Sequence, residues 1–256
     1  SGLSGSITAA VSLTTRTLEN GGTVLWTGVG NITFNNAVIT NRPGALFEAR
    51  TAGGDFNNAV SSVARFDNAG TFRKSVSTAP LNVSNGVAFN NYNLVDIRSG
   101  ILAANGGYTS SSNALLNCAL GGTTAGTGYG RLQVGGTVTL NGALSVNLID
   151  GFVPATNDAF TVLTAGTRSG TFANFFYPSN AATMQMSNTA NSVIARVTDV
   201  FSVPQPAPVP AGLISWWRAE GNAFDSVGTN HGVLTNGATF APGQVGQTFA
   251  LDGVND

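Results

Sequence analysis

The sequence predicts an all-β fold, and three observations support this prediction. Charged residues make up only 9% of the 256-residue chain, against roughly 25% in an average soluble protein. Helices usually carry glutamate and lysine on their exposed faces, yet Lys74 is the single lysine and Glu19, Glu48 and Glu220 are the only glutamates. The 33 glycines favour turns, and hydrophobic residues reach 42%, which is enough to form a buried core.

A loose internal repeat over residues 1 to about 110 narrows the fold class to a solenoid. A triplet of Phe, Asn or Asp, and Asn occurs four times, with two long intervals between successive copies and one short interval. The four copies are Phe34-Asn35-Asn36, Phe56-Asn57-Asn58, Phe66-Asp67-Asn68 and Phe89-Asn90-Asn91. Units of about 20 to 30 residues, built from short strands and Asn/Gly bends, are typical of coils stacked along one axis.

The physical chemistry of these residues predicts a right-handed parallel β-helix. Each coil must bend two or three times, and Gly and Asn tolerate the left-handed backbone of such bends. Asn side chains can stack from coil to coil and form ladders of side-chain amides. One apolar side chain per strand, such as a Phe or a Leu, is expected to point inward and to stack on its neighbour in the next coil.

Residues 130–198 continue the strand pattern. Three short segments between residues 130 and 150 alternate between apolar and polar side chains. The dipeptide Asn141-Gly142 between two of these segments fits either a hairpin turn or a corner of a solenoid coil. The aromatic segment 172–178 is expected to pack in the last coil or to cap the open end, which solenoids must cover.

A proline-rich stretch marks the clearest boundary in the chain. Four prolines occur within seven residues between Pro204 and Pro210, and proline cannot join the interior of a sheet. Such a sequence favours a stiff, extended polyproline spacer. We therefore expect a β-solenoid stalk over residues 1–198, a Pro-rich linker over residues 199–211 and a separate unit over residues 212–256.

Five short motifs that follow one another in a fixed order carry a first resemblance. They are residues 119–122, 132–144, 150–154, 160–163 and 169–172. The series resembles the terminal part of the β-helical, passenger-like regions of large bacterial surface proteins, among them autotransporter-like proteins and adhesins. The resemblance covers roughly residues 20 to 198. It implies a protein that is secreted or held on the bacterial cell surface.

The segment from Gly212 to Asp256 carries a second resemblance. It opens with Gly212-Leu213-Ile214-Ser215-Trp216-Trp217-Arg218 and ends with Phe249-Ala250-Leu251-Asp252-Gly253-Val254-Asn255-Asp256. The segment is similar to the opening of laminin G-like, concanavalin A-like jellyroll domains of bacterial extracellular proteins. Its 45 residues are too few to close a two-sheet sandwich, so the resemblance implies a partial jellyroll β-sandwich.

The segment 212–256 also supplies the candidate binding residues. Trp216 and Trp217 can stack on sugar rings, although sealing the core of the jellyroll is the alternative role for both rings. The resemblance to laminin G-like domains implies Asp225 and Asp252 as calcium ligands. Calcium in this unit is the only cofactor that the sequence suggests.

The sequence offers no catalytic residues, although some extracellular enzymes, such as polysaccharide lyases and hydrolases, are built on a β-helix. Those enzymes need clustered carboxylates and a basic residue, and no two acids between residues 20 and 198 have D-x-D spacing. Arg73-Lys74 is either an anchor for an acidic sugar or, as we expect, a solvated loop pair. Asp96 and Arg98 alternate along one strand and are candidates for an ion pair.

We therefore expect a non-enzymatic extracellular structural or adhesive protein, a cell-surface stalk or fibre subunit that displays a binding domain. The alternative is a carbohydrate-binding module of a secreted protein, and the third hypothesis is a β-helix polysaccharide lyase or hydrolase. The expected partners are glycans or ligands on host or cell surfaces, and further copies stacked head to tail through open solenoid ends. Scattered arginines argue against nucleic acid. No apolar stretch approaches the roughly 20 residues of a membrane span.

Overall fold

The structure, a computed structural model, describes residues 4–59, 64–201, 212–243 and 246–254. All regular elements within these ranges are β-strands, so the all-β prediction is confirmed. The chain divides into two compact units, Ser1–Phe201 and Ser202–Asp256. The expected linker falls mostly on residues 202–211, which lie outside the described residues, and its first two residues end the last strand of the first unit.

The strands of the first unit are short in the early coils and longer towards the end. The early strands are β1 (Gly5–Ile7), β2 (Val11–Thr14), β3 (Thr17–Asn20), β4 (Thr23–Trp26), β5 (Ile32–Asn35), β6 (Val38–Asn41), β7 (Leu46–Ala49), β8 (Phe56–Asn58), β9 (Ala64–Asn68), β10 (Thr71–Lys74) and β11 (Leu81–Val83). The later strands are β12 (Val87–Asn91), β13 (Leu94–Ile97), β14 (Ile101–Ala104), β15 (Tyr108–Ser110), β16 (Leu115–Leu120), β17 (Arg131–Leu140), β18 (Ala143–Leu148), β19 (Ala159–Gly170), β20 (Asn174–Phe176), β21 (Ala182–Asn188) and β22 (Ser192–Val200).

Each early coil of the first unit contributes one strand to each of three faces. The first face is a sheet in the order β1-β4-β7-β10-β13-β16-β18-β20. The second and third faces follow the orders β2-β5-β8-β11-β14-β17 and β3-β6-β9-β12-β15-β17, and they meet in the long strand β17. Neighbouring strands pair in parallel on all three faces. The arrangement is a β-solenoid of stacked parallel coils, as the repeat predicted.

The uneven spacing of the Phe-Asn triplets follows from this three-faced coil. Phe34 and Phe56 are separated by a long interval and lie on β5 and β8, which are neighbours on the second face. The interval from Phe56 to Phe66 is short because the two residues belong to one coil but to two of its faces. Phe66 and Phe89 are again separated by a long interval and are direct partners in the pairing of β9 with β12. The long intervals are therefore one full coil, and the short interval is one face.

Aromatic side chains stack inside the coils. On the first face, Phe47 stacks on Phe72 with ring centroids 5.9 Å apart. On the third face, Phe66 stacks on Phe89 at 5.1 Å, and Phe89 stacks on Tyr108 at 5.8 Å. All five rings are buried. The predicted inward stack of apolar side chains from coil to coil is therefore confirmed for these strands.

A ladder of asparagine side chains runs inside the third face. The Nδ2 group of Asn20 donates to Oδ1 of Asn41 at 2.8 Å, and Asn41 donates in turn to Asn68 at 2.8 Å. Asn68 donates to Asn91 at 2.9 Å, and the Nδ2 group of Asn91 ends the ladder on the Tyr108 hydroxyl at 3.0 Å. Each Nδ2 group also donates to a carbonyl of the first face, at Leu46, Thr71, Leu94 and Leu115. All four asparagines are buried, so the predicted amide ladder is confirmed.

The dipeptide Asn141-Gly142 forms a corner of the coil and not a hairpin. Strand β17, before it, belongs to the second and third faces, whereas β18, after it, belongs to the first face. Gly142 has a φ of 73°, and a side chain at this position would meet the carbonyl oxygen of Ala114 at 2.2 Å. The corner therefore needs glycine both for its left-handed backbone and for the close approach of the previous coil.

The end of the solenoid changes from parallel to antiparallel pairing. Strand β20, which lies in the aromatic segment, pairs in parallel with β18 and is the last strand of the first face. The aromatic segment therefore packs in the last coil, which was one of its two predicted places. Strand β19 pairs in parallel with β17 and antiparallel with β22, and β22 pairs antiparallel with β21. These antiparallel strands end the stack of coils on this side.

The described part of the second unit contains one two-stranded antiparallel sheet. Its strands are β23 (Thr239–Pro242) and β24 (Gln247–Ala250), and an isolated bridge joins Trp217 to Asp225. Within the described ranges of the whole chain, there is no helix with the length and apolar character that crossing a membrane demands.

Candidate functional site

The first unit carries a cavity of about 300 Å³ at a place where the corners of four successive coils meet. The corners follow β10, β13, β16 and β18, which are neighbours on the first face. Because these strands are parallel, their carboxyl ends lie along one edge of the sheet. The walls of this corner cavity include Val76, Arg98, Ser99, Thr127, Tyr129 and Asp150.

A glycine- and threonine-rich loop over residues 121–130 forms one wall of the corner cavity. The loop folds back on itself, because the amide of Gly121 donates to the carbonyl of Gly128 at 2.7 Å and the amide of Gly128 donates to Thr124 at 2.7 Å. A side chain at Gly128 would meet the backbone of Gly122 at 2.8 Å. Glycine is therefore needed where the two arms of the loop touch.

Val76 lines the cavity from a strained turn. Its φ is 68°, and the amide of Ser77 donates to the carbonyl of Ser75 at 2.7 Å, so the three residues form the rare γ-turn with positive φ. For a β-branched residue this backbone is an outlier that costs about 1–3 kcal/mol. Burial does not offset the strain, since Val76 is 76% exposed.

Lys74 joins this turn to the next coil through two hydrogen bonds. Its Nζ group donates to the carbonyl of Ser77 at 2.7 Å and to the carbonyl of Ser99 at 3.0 Å. The side chain is 1% exposed, and burial lowers the pKa of Lys74 to about 8. Gly100 leaves room for the amine, because a side chain there would lie 2.2 Å from Nζ.

The expected solvated pair at Arg73-Lys74 is therefore wrong for Lys74. Both residues lie on strand β10, where successive side chains point to opposite sides of the sheet. Lys74 points inward and is buried, whereas Arg73 stays on the outer side and pairs with Asp96, with Nε 2.9 Å from Oδ2. The two cations do not form one surface group.

Asp96 accepts hydrogen bonds from three side chains beside the cavity. Its Oδ2 atom accepts from Nε of Arg73 at 2.9 Å and from Nε of Arg98 at 2.8 Å. Its Oδ1 atom accepts from Nδ2 of Asn117 at 2.9 Å. The predicted pairing of Asp96 with Arg98 is therefore confirmed. The carboxylate joins strands β10, β13 and β16 and holds the start of the Arg98 side chain in place.

The two predicted sugar-binding tryptophans take different positions in the second unit. Trp217 is 44% exposed and lines an apolar cavity of about 350 Å³ together with Leu234, Phe249 and Leu251. Its Nε1 group donates to the carbonyl of Asn230 at 2.7 Å. Trp216 is half-buried, and the guanidinium of Arg218 lies 4.4 Å from the centroid of its ring. Of the two rings, Trp217 therefore has the open surface that a ligand could reach.

Asp225, a predicted calcium ligand, is bound by the backbone around it. Its Oδ1 atom accepts from the amides of Trp216 at 2.8 Å and Val227 at 3.0 Å, and its Oδ2 atom accepts from the amide of Asn230 at 3.2 Å. Burial opposes ionisation of this carboxyl, but backbone N–H groups, first that of Gly228, together hold the pKa of Asp225 well below its usual range.

Asp252, the second predicted calcium ligand, accepts a hydrogen bond from the amide of Val254 at 2.8 Å. In the part of the chain that the structure describes, no three His, Cys, Asp or Glu side chains lie close enough together to hold a metal ion. Calcium binding by Asp225 and Asp252 therefore stays a prediction.

No protein-family model matches this sequence, and no curated protein matches it either. Sequence reasoning found Arg98 as a partner of Asp96 but missed the corner cavity. The composition of residues 121–130 was the only available signal, whereas nothing in the sequence marks the strained turn at Val76.

Proposed function

We propose that this chain is a non-enzymatic extracellular structural or adhesive protein, a stalk on a bacterial cell surface that displays a binding domain. The observation that carries the proposal is the buried amide ladder through Asn20, Asn41, Asn68 and Asn91. A fully satisfied polar network inside a core rigidifies it and fixes the register of its elements. Coils joined in this way extend by repetition, because each coil contacts only its neighbours.

The carboxylates of the solenoid support a structural role. Glu48 pairs with Arg50 at 2.9 Å, and Asp67 pairs with Arg65 at 2.6 Å. Asp96, on β13, accepts hydrogen bonds from side chains on both neighbouring strands, β10 and β16. Glycoside hydrolysis needs two carboxylates on opposite sides of one substrate bond, whereas these carboxylates are engaged in joining coils and in local ion pairs.

From the sequence, we further propose that the coils wind in a right-handed sense, that residues 199–211 form a Pro-rich linker and that residues 212–256 begin a laminin G-like jellyroll. The resemblance to passenger-like regions of autotransporter-like proteins and adhesins supports a secreted or surface location. The low charge and the absence of a basic patch in the sequence agree with a partner other than nucleic acid.

Immunolabelling of the source cells tests the location. Antibodies raised against the first unit are applied to intact cells and to permeabilised cells. We expect equal labelling of both samples, with loss of the signal after mild protease treatment of intact cells. Labelling that appears only after permeabilisation would refute a surface stalk.

Carbohydrate binding by the second unit is the second candidate function. It is favoured by Trp217, whose exposed ring lines an apolar cavity as sugar-stacking aromatic rings do. A glycan array is probed with the full chain, with and without Ca²⁺. We expect binding that the substitution Trp217→Ala abolishes. The matched control is Phe224→Ala, because Phe224 is 60% exposed and does not line this cavity. No binding by the full chain would remove this candidate.

A further inference from the structure

We propose that the corner cavity of the first unit binds a carboxylated sugar residue, with Arg98 as the residue that contacts the carboxylate. The volume of about 300 Å³ lies at the lower end of the range for small-molecule sites and suits one sugar ring. The site lies within the first unit, so it does not depend on the tryptophans of the second unit or on the surface location.

The guanidinium of Arg98 is held by one bond and keeps its other donors. Its Nε group donates to Asp96 at 2.8 Å, and its side chain is 52% exposed. Among the described residues, no group accepts a hydrogen bond from its Nη1 or Nη2 atoms. Two N–H groups on one rigid plane match the two oxygens of a carboxylate.

Two charged residues, Arg98 and Asp150, line the cavity. Arg98 is the cation of the two, so it is the lining group that can pair with the carboxylate of a ligand, whereas Asp150 can accept hydrogen bonds from hydroxyl groups.

The remaining lining residues suit a sugar ring. The hydroxyl groups of Ser99 and Thr127 make no hydrogen bond to another described residue, so both are open to a ligand. The exposed carboxylate of Asp150 can accept hydrogen bonds from sugar hydroxyls. Val76 and the ring of Tyr129 supply apolar surface for the C–H groups of the ring.

The strain at Val76 supports a binding role for the turn. The turn keeps a β-branched residue at a φ of 68° with its side chain in solvent. Lys74 maintains this conformation through its bonds to the carbonyls of Ser77 and Ser99. Strain that neither burial nor a local hydrogen bond of the side chain explains is typical of sites held ready for a ligand.

The test is a titration of the full chain followed by two-dimensional ¹H–¹⁵N NMR. Three probes are added separately. Galacturonate carries both the sugar hydroxyls and a carboxylate, galactose carries the hydroxyls alone, and acetate carries the carboxylate alone. We expect saturable shifts at residues 75–77, 98–99 and 126–129 with galacturonate, and affinities at least about tenfold lower for galactose and acetate. Equal affinity for all three probes, or shifts confined to other residues, would overturn the proposal.

Two substitutions identify the groups that bind. Arg98→Gln should lower the affinity for galacturonate at least about tenfold, whereas the control Arg16→Gln, at an exposed arginine of the first coil, should not. Asp96 keeps Arg73 and Asn117 as partners in the variant, so the fold is expected to persist. Unchanged affinity of the Arg98 variant would contradict the assignment.

The substitution Val76→Gly tests whether the strained turn contributes to ligand binding and not to the stability of the fold. Glycine accepts a positive φ, so the variant should unfold at the same temperature or higher while it binds galacturonate more weakly. The control Val29→Gly, at a valine that is 71% exposed, should leave binding unchanged. Full affinity in the Val76 variant would show that the turn takes no part. A negative result in all arms leaves the stalk proposal intact, because immunolabelling tests it separately.

Discussion

Asn68 illustrates how one buried side chain joins several coils. It accepts a hydrogen bond from Asn41, donates to Asn91 at 2.9 Å and donates to the carbonyl of Leu94 at 2.8 Å. These bonds form in a core that excludes water, where an unpaired amide is costly. The main stabilising effect of the ladder is therefore that it keeps buried polar groups paired, since losing one asparagine would leave the groups that it pairs with unsatisfied.

Replacing Asn68 with alanine should destabilise the protein by about 2–4 kcal/mol, because buried groups on Asn41, Asn91 and Leu94 lose a partner at once. Urea unfolding followed by circular dichroism measures the change. The control is Asn93→Ala, at an exposed asparagine between Asn91 and the start of β13. Its free energy of unfolding should stay within about 0.5 kcal/mol of the wild-type value. Equal stability of the two variants would contradict a structural role for the ladder.

The buried amine of Lys74 predicts a dependence of stability on pH. Its pKa is lowered from 10.5 to about 8 in the folded chain. Between these values the unfolded chain binds a proton that the folded chain has released, so the free energy of unfolding rises with pH, by at most about 3 kcal/mol. Below about pH 8 both states are protonated and this contribution is constant.

Urea unfolding between about pH 7.5 and pH 10.5 measures that dependence in the wild type and in Lys74→Met. The variant should lack the rise and should be less stable at the upper end, since the carbonyls of Ser77 and Ser99 lose their donor. The difference between the two curves removes the contribution of tyrosines that titrate in the same window. Parallel curves would mean that Lys74 does not titrate there.

Residue-scale features differ in how far the sequence predicts them. A ladder of asparagines was predictable from the abundance of Asn and its tendency to stack, but two of its members, Asn20 and Asn41, lie outside the Phe-Asn triplets. The phase of each coil is fixed by pairing with its neighbours, which sequence spacing alone does not reveal. The turn at Val76 was unpredictable because valine locally disfavours positive φ.

At the scale of single elements, the corners of the coil decide where each strand begins. Gly142 and Gly151 both have positive φ, at 73° and 70°. A side chain at Gly142 would meet the carbonyl oxygen of Ala114 at 2.2 Å, whereas a side chain at Gly151 would meet no atom within 4 Å. The pair therefore separates the effect of backbone conformation from the effect of close contact.

Gly142→Ala should destabilise the fold by more than about 2 kcal/mol, whereas Gly151→Ala should cost only about 1–2 kcal/mol for its left-handed backbone. Midpoints of chemical unfolding, compared at equal slope, measure both changes. A larger loss in the Gly151 variant would contradict the contact between the corner and the preceding coil.

The sequence predicted a bend at Asn141-Gly142 but left its kind open. A hairpin and a solenoid corner need the same left-handed residue, so local chemistry does not separate them. The pairing of β18 with β16, a strand of the preceding coil, makes the bend a corner. The long-range pairing of β18 with β16, and not the turn propensity of the dipeptide, therefore determines that the bend is a corner.

At the scale of the whole chain, composition was enough to predict an all-β fold, because the chain is poor in helix-surface residues and rich in turn residues, and the spacing of the Phe-Asn triplets narrowed this fold to a solenoid. It did not predict that β17 would serve two faces, or that β19, β22 and β21 would end the stack with antiparallel pairing. Both features depend on how the last strands meet the last coil. Head-to-tail stacking stays a proposal, and these antiparallel strands are the part of the solenoid that would oppose it.

Loosening that end should promote association. Val193 is fully buried on β22 beside β19, so Val193→Asp should detach β22 and expose the edge of β19 to other copies. Light scattering coupled to size-exclusion chromatography is expected to show larger species for this variant. The control Ser192→Asp, at a half-exposed neighbour, should keep the wild-type mass. An unchanged mass for Val193→Asp would contradict a protective role of these strands.

The most direct test of the account is hydrogen exchange of asparagine side-chain amides, followed by NMR after transfer to D₂O. Stacked coils joined by an internal ladder predict that the Nδ2 protons of Asn41, Asn68 and Asn91 persist long after those of exposed Asn93 have exchanged. Exchange of all four side chains at the same fast rate would contradict the ladder, and with it the coil-to-coil register on which the proposed stalk depends.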